Sequence, residues 1–202
     1  SPSAPSGIVT SSNDGFVMLY WTKNSESDIE NYKIYRSTES GFLLSIDSLI
    51  YSASSTDGQY KDENVVYGVT YYYKITAIDS AGNESSPALE VSGRSIDTKV
   101  PTVSINTPVS EKIFGTEDQV TISWEASDNW KLGWAKSYYR YSSSKDFVFI
   151  DSSDATVGQH IWEVPDSTLS FTNDILVIVS DLESNTARDT MDGVFAIIDN
   201  TP

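Results

Sequence analysis

Oxygen donors dominate the chemistry this chain could perform. Asp181 and Asn185 stand four residues apart, Asp128 and Asn129 are adjacent, and Asp97 lies upstream of both. Carboxylate and amide oxygens brought together from separate loops suit a hard cation, and calcium is the one cofactor these residues suggest. The ligand spacing of an EF-hand is absent. The competing reading is that each Asp or Asn caps its own turn by accepting backbone N–H groups. Asp79 and Asn83 repeat the four-residue spacing, and there Gly82-Asn83 already accounts for itself as a turn. His160 is the single histidine. A nucleophilic triad needs one, but this residue sits beside Ile161 and Trp162 in a short strand, where packing or solvation is its ordinary role. Without cysteine there is no thiol nucleophile and no zinc–thiolate site. Paired carboxylates of a glycosidase would need a cleft, and these acids fall mostly in turns. No catalytic residue and no organic-cofactor site is assigned, and the reading is of a protein that is not an enzyme.

The elements that must position these groups are strands. Trp21 ends the alternating run VMLYW, and Asp79 closes YYYKITAID. Trp124 ends VTISW, and Asp181 closes DILVIVSD. The two Trp-to-Asp spans are nearly equal in length. Period two puts Val17, Leu19 and Trp21 on one face, then Tyr71, Tyr73, Ile75 and Ala77. In the second half it puts Ser137, Tyr139 and Tyr141 inward, then Ile175, Val177 and Val179. A buried Trp early and an inward-facing strand later is the layout of a β-sandwich. The fold class is therefore all-β, as two tandem immunoglobulin-like β-sandwiches over residues 1–95 and 96–202.

Residues 5–95 resemble a fibronectin type III domain of the bacterial extracellular kind. The resemblance is carried by Trp21, the run Tyr32-Lys-Ile-Tyr-Arg36, Gly68, Tyr71 and DSAGNES at 79–85. It implies a seven-stranded sandwich that serves as spacer or interaction module, with no Arg-Gly-Asp tripeptide here to carry integrin binding. The second half resembles the immunoglobulin-like modules of secreted bacterial proteins, through VTISWEASDN, IWEVP and the Asp181–Asn185 pair. Where those modules have a small turn after the sixth strand, this chain has Leu182-Glu183-Ser184.

Charge narrows the partners. Twelve acidic and 6 basic residues precede Asp97, and 17 and 7 follow from it onward. Both halves would repel nucleic acid and anionic lipid. No apolar run is long enough to insert in a membrane. The opening SPSAPSG reads as linker, with no signal peptide, so the chain reads as a piece of a longer protein. The expected partners are that protein's neighbouring domains, with a protein or glycan ligand as a further possibility, and the expected state is a monomer. Tyr35 and Tyr72, placed on the outer face of neighbouring strands, could stack on a sugar or shield the sheet as a cross-strand pair. Trp130 and Trp134, placed in the loop after Trp124, together with Val66 and Tyr67, are expected at an interface between the two halves. The function expected is a non-catalytic spacer or adhesion module of a larger secreted or cell-surface bacterial protein. The rival is an accessory carbohydrate-binding module of an extracellular enzyme.

Overall fold

The computed structural model describes residues 1–142, 145–165 and 170–199, without the side chains of Ser170 and Phe171. The chain divides into two units, Ser1–Asp97 and Thr98–Pro202. Apart from 3-10 turns at Ile46–Ser48 and Ala155–Val157, every regular element among the described residues is a strand.

The first unit runs β1 (Ser6–Asn13), β2 (Phe16–Thr22), β3 (Ile29–Ser37), β4 (Leu49–Ser54), β5 (Gln59–Asp62), β6 (Thr70–Asp79) and β7 (Val91–Arg94). One sheet has the order β1-β2-β5 and the other β4-β3-β6-β7. This is a two-sheet β-sandwich. The inward sets of β2 and β6 are all buried, and Tyr32 and Ile34 of β3 join them. Trp21 meets Tyr32 edge-on, with ring centroids 5.5 Å apart. The turn before β6 forms a tyrosine corner: the N–H of Val66 donates to the Tyr71 hydroxyl at 3.2 Å, and Gly68 takes a φ of 75° in the turn before it. β5 has too few apolar residues to announce itself. It is held instead by Asp62, which is fully buried and accepts from Arg36 Nη1 and from the Tyr73 hydroxyl.

The second unit runs β8 (Thr102–Thr107), β9 (Ile113–Gly115), β10 (Gln119–Ser127), β11 (Leu132–Arg140), β12 (Val148–Asp154), β13 (Gln159–Glu163), β14 (Ser170–Asp181), β15 (Thr186–Thr190) and β16 (Phe195–Ile198). One sheet is β13-β10-β8. The other is β12-β11-β14-β16-β9, and β15 adds to β14. Ile122, Trp124, Trp162, Ile175, Val177, Val179 and Phe195 form the core. Trp162 lies against Tyr139, with centroids 4.8 Å apart. Ser137 and Tyr139 face inward as expected. Tyr141 does not: β11 ends at Arg140, and Tyr141 is 37% exposed beyond it. The alternate residues of β14, Leu176 and Ile178, are covered from within the unit. Leu176 lies opposite Tyr138 and Thr190, and Ile178 opposite Lys136 and Arg188, so the flanking strands shield both.

The two Asp-x-x-x-Asn turns close alike. In the first, the N–H of Asp79 donates to the Asn83 carbonyl. In the second, the N–H of Asp181 donates to that of Asn185. The fourth residue of each turn needs a positive φ. Gly82 supplies 82° without strain, whereas Ser184 is forced to 71°.

Two outcomes test this architecture. Trp21→Ala and Trp124→Ala should each cost their own unit about 3–5 kcal/mol in urea unfolding followed by circular dichroism. Ser184→Gly should raise the stability of the second unit by about 1 kcal/mol, because it removes the left-handed strain.

Candidate functional site

The acidic pole belongs to the ends of strands. Asp128 directly follows β10, and Asp181 ends β14. Asp97 is the last residue before the second unit begins. Pairing of β11 with β14 sets Leu132 opposite Asp181, so the loop carrying Asp128 returns beside the end of β14. Gly133 permits this approach: a Cβ there would lie 2.5 Å from the Asp181 carbonyl oxygen and 2.8 Å from Ser180 Oγ. A glycine within a strand is the sequence signal for such a close passage.

Of the five residues expected at a cation site, Asp128, Asn129, Asp181 and Asn185 belong to the second unit and Asp97 to the first. Within the second unit, Asp128 and Asp181 each offer a carboxylate oxygen, and these lie within 4.8 Å of one another. Asn185 serves its own turn instead, since its N–H donates to Asp181 Oδ1 at 2.8 Å and its Nδ2 donates to Oδ2 at 2.6 Å. Asn129 is exposed in the loop. Asp128 Oδ2 accepts from the N–H of Trp130 at 2.9 Å. The donor set is oxygen only, which suits a hard cation and not a transition metal.

In the first unit the corresponding turn is satisfied by protein donors. Asp79 Oδ1 accepts from the N–H groups of Ala81 and Asn83 at 3.0 and 2.8 Å, and the Asn83 amide reaches Oδ2 at 2.9 Å. The Asn83 bonds hold the Asp79 carboxyl below its ordinary range.

His160 is a structural tie. Its Nδ1 lies 2.7 Å from Ser137 Oγ and its Nε2 2.9 Å from Ser153 Oγ. The Ser153 hydroxyl donates to the Asp154 carbonyl at 3.0 Å, so Ser153 accepts from Nε2–H. Nδ1 is then the acceptor, and Ser137 donates to it. The ring packs edge-on against Trp124 at 4.8 Å. Since His160 is on β13 while Ser137 and Ser153 are on β11 and β12, the histidine links the two sheets of the second unit. Ser137 is fully buried, so no substrate reaches it as a nucleophile. Neither serine partner is visible in a sequence, because nothing local to position 160 marks which strands will face it.

The aromatic expectations need correction. Tyr35 is on the outer face of β3 but only 5% exposed. Its hydroxyl donates to Glu84 at 2.7 Å within a polar cluster that includes Lys33 and Thr76. Burial, with Glu84 alongside, pushes the Tyr35 phenol up to about 12. The register sets Tyr72 opposite Ser37 and Tyr35 opposite Lys74, so the two rings form no platform. Trp134 lies in strand β11, not in a loop, with the Lys136 ammonium 4.4 Å above its ring. Trp130 stays in the loop before β11. Val66 is exposed, and the Tyr67 hydroxyl donates to Asp14 at 2.8 Å.

With the sandwich topology established, the chain can be compared with known proteins. No family model matches it. It is 40% identical over 86 residues to an amylopullulanase of Thermoanaerobacterium thermosulfurigenes, covering 42% of this chain and 4% of that protein. It is 26% identical over 133 residues to exoglucanase B of Cellulomonas fimi, covering 63% of this chain and 11% of the relative. Among solved structures, the fibronectin(III)-like modules of Clostridium thermocellum CbhA align over 98% of this chain and 92% of theirs, with 18% identity and a TM-score of 0.44. The similar solved structures also include fibronectin domains of chicken CNTN1, at 16% identity and a TM-score of 0.40. The chain corresponds to a small segment of much longer curated relatives.

The histidine tie has a pH signature. Burial lowers the His160 pKa below its ordinary 6.5, against an opposing pull from Asp151. The unfolded chain therefore binds the proton first, and stability falls as pH drops below 6.5. Wild-type unfolding free energy should decline between pH 7.5 and 5.5, by at most about 1.4 kcal/mol per pH unit. His160→Gln should flatten that interval in urea titrations. Equal slopes in both proteins would show that the pH dependence has another source.

Proposed function

We propose that this chain is a non-catalytic accessory segment of a larger extracellular polysaccharide-degrading protein, where it acts as a spacer. The observation that carries this reading is the pattern of its likeness. Stretches of about half the chain or more match enzymes of which they form a few per cent to about a tenth. The named activities of those relatives thus need far more chain than this segment supplies. The fold agrees, because among the described residues the space between the stacked sheets is filled by Trp, Tyr and aliphatic side chains.

Carbohydrate binding is the competing reading, and it calls for exposed rings lying coplanar. Several of the exposed rings here are engaged with one another or with cations. Tyr51 stacks on Tyr60 at 4.6 Å, Tyr138 meets Phe149 at an interplanar angle of 73°, and Lys136 caps Trp134. This arrangement supports the spacer.

The test uses the whole chain, incubated with soluble and insoluble α- and β-glucans. No reducing ends should appear, and the protein should stay in the supernatant over insoluble starch and cellulose. Release of reducing ends would overturn the non-catalytic reading. Depletion from the supernatant would replace the spacer with a carbohydrate-binding module.

A further inference from the structure

We propose that the outer face of β11, β14 and β15 docks an acidic protein surface, with Lys136 and Arg188 as its cationic rim. The inference does not rest on the spacer reading. Strand register builds this face from residues of outward parity. Ile178 stands opposite Lys136 on one side and opposite Arg188 on the other. Neighbouring strands lie about 4.7–4.9 Å apart, so the two cations are rooted about 10 Å from each other across Ile178. In the next row Leu176 stands between Tyr138 and Thr190, and Phe149 lies beyond Tyr138.

The two cations have no anion of their own. Among the described residues neither Lys136 nor Arg188 forms an ion pair, and the Lys136 ammonium rests on the Trp134 ring at 4.4 Å. The carboxylates of this face are already engaged. Asp174 is paired with Arg140, and Asp154, opposite Trp134, accepts from the N–H and the hydroxyl of Thr156. In the first unit, by contrast, Lys33, Arg36, Lys61 and Lys74 each meet a carboxylate within the fold. An acidic chain has carboxylates to spare for its cations. Two left unmatched on one sheet face make a positive strip in a negative field, and such a strip selects an anionic partner.

The apolar centre makes that partner a protein. Phe149 is 53% and Trp134 36% exposed beside the half-buried Ile178 and Tyr138. An apolar and aromatic patch with a polar rim is the make-up of a protein interface, where Trp, Tyr, Phe and Arg are enriched. Sugar stacking needs open, coplanar rings, whereas Tyr138 meets Phe149 at 73° and Lys136 caps Trp134. The face is thus suited to a surface that carries carboxylates around apolar side chains.

The whole chain, isotope-labelled for nuclear magnetic resonance, is titrated with a glutamate–tyrosine copolymer, whose carboxylates and rings match the face. Polygalacturonate is run alongside. At about 50 mM salt the copolymer should shift the amides of β11, β14 and β15, and binding should fade as salt rises to about 0.5 M. Lys136→Gln and Arg188→Gln should each weaken binding about threefold. Reversing both charges, with Lys136→Glu and Arg188→Glu together, should weaken it roughly tenfold or more. Lys112→Gln removes a charge elsewhere in the same unit and should leave affinity unchanged. Urea midpoints equal to that of the wild type show that the variants fold. No binding of the copolymer would overturn the proposal, and so would an equal loss in Lys112→Gln. Binding of polygalacturonate in place of the copolymer would make the partner an acidic glycan and overturn it too. Self-association of the chain alone, abolished by the double reversal, would make the occupant a second copy and not the partner proposed.

Discussion

Everything in this molecule rests on holding two sheets face to face without a covalent tie. The chain has no cysteine, so each sandwich depends on side chains that reach across the gap between its sheets. In the first unit Trp21 reaches from one sheet to Tyr32 on the other. In the second, Trp124 and His160 lie together, and the histidine adds hydrogen bonds to Ser137 and Ser153 on the facing sheet. A fully buried aromatic residue supplies the largest apolar area of any side chain, and its edge fixes the angle at which its neighbour packs. Polar ties add direction: Arg36, Asp62 and Tyr73 in the first unit, His160 with its serines in the second.

Once the sheets are fixed, strand ends and turns have little freedom, and the acids collect there. Asp79 and Asp181 serve the same turn geometry, each accepting from the N–H and the side-chain amide of an Asn four residues on. The difference between them lies in the neighbours. Gly133 lets β11 pass close to the backbone at Asp181, and that passage returns the loop bearing Asp128 to the same place. A chain with net charge −16 can spread its acids over solvent at little cost. Setting Asp128 and Asp181 side by side at one strand end is a different commitment.

A spacer needs a fold that stays closed and a surface that does not adhere. Several exposed rings here are stacked, set edge to face or capped by lysine. The core tyrosines are directed inward or bonded to carboxylates. Tyr35 shows this clearly, since its hydroxyl is tied to Glu84 on a face where a free ring would have invited stacking.

Much of the fold is legible in the sequence because period two is a local property. Val17, Leu19 and Trp21, or Ile175, Val177 and Val179, declare their buried face by alternation alone. The turns are legible for the same reason, since Gly68 and Gly82 mark positive φ in the sequence itself. What sequence does not supply is the cover on each outer face. Tyr35 looks exposed by its parity, yet Glu84 and its neighbours bury it. β5 escapes a pattern-based reading because its anchor, Asp62, is polar and finds its partners on other strands. Trp134 reads as part of a loop, although β11 begins at Leu132. Sequence likewise names the acids of the pole without saying which will meet. Asp128 is brought beside Asp181 while Asn185 turns to its own aspartate, because strand register and the close pass at Gly133 set those distances. Alternation, composition and turn chemistry are short-range and can be read in order along the chain. Convergence of residues tens of positions apart is decided only when the sheets close.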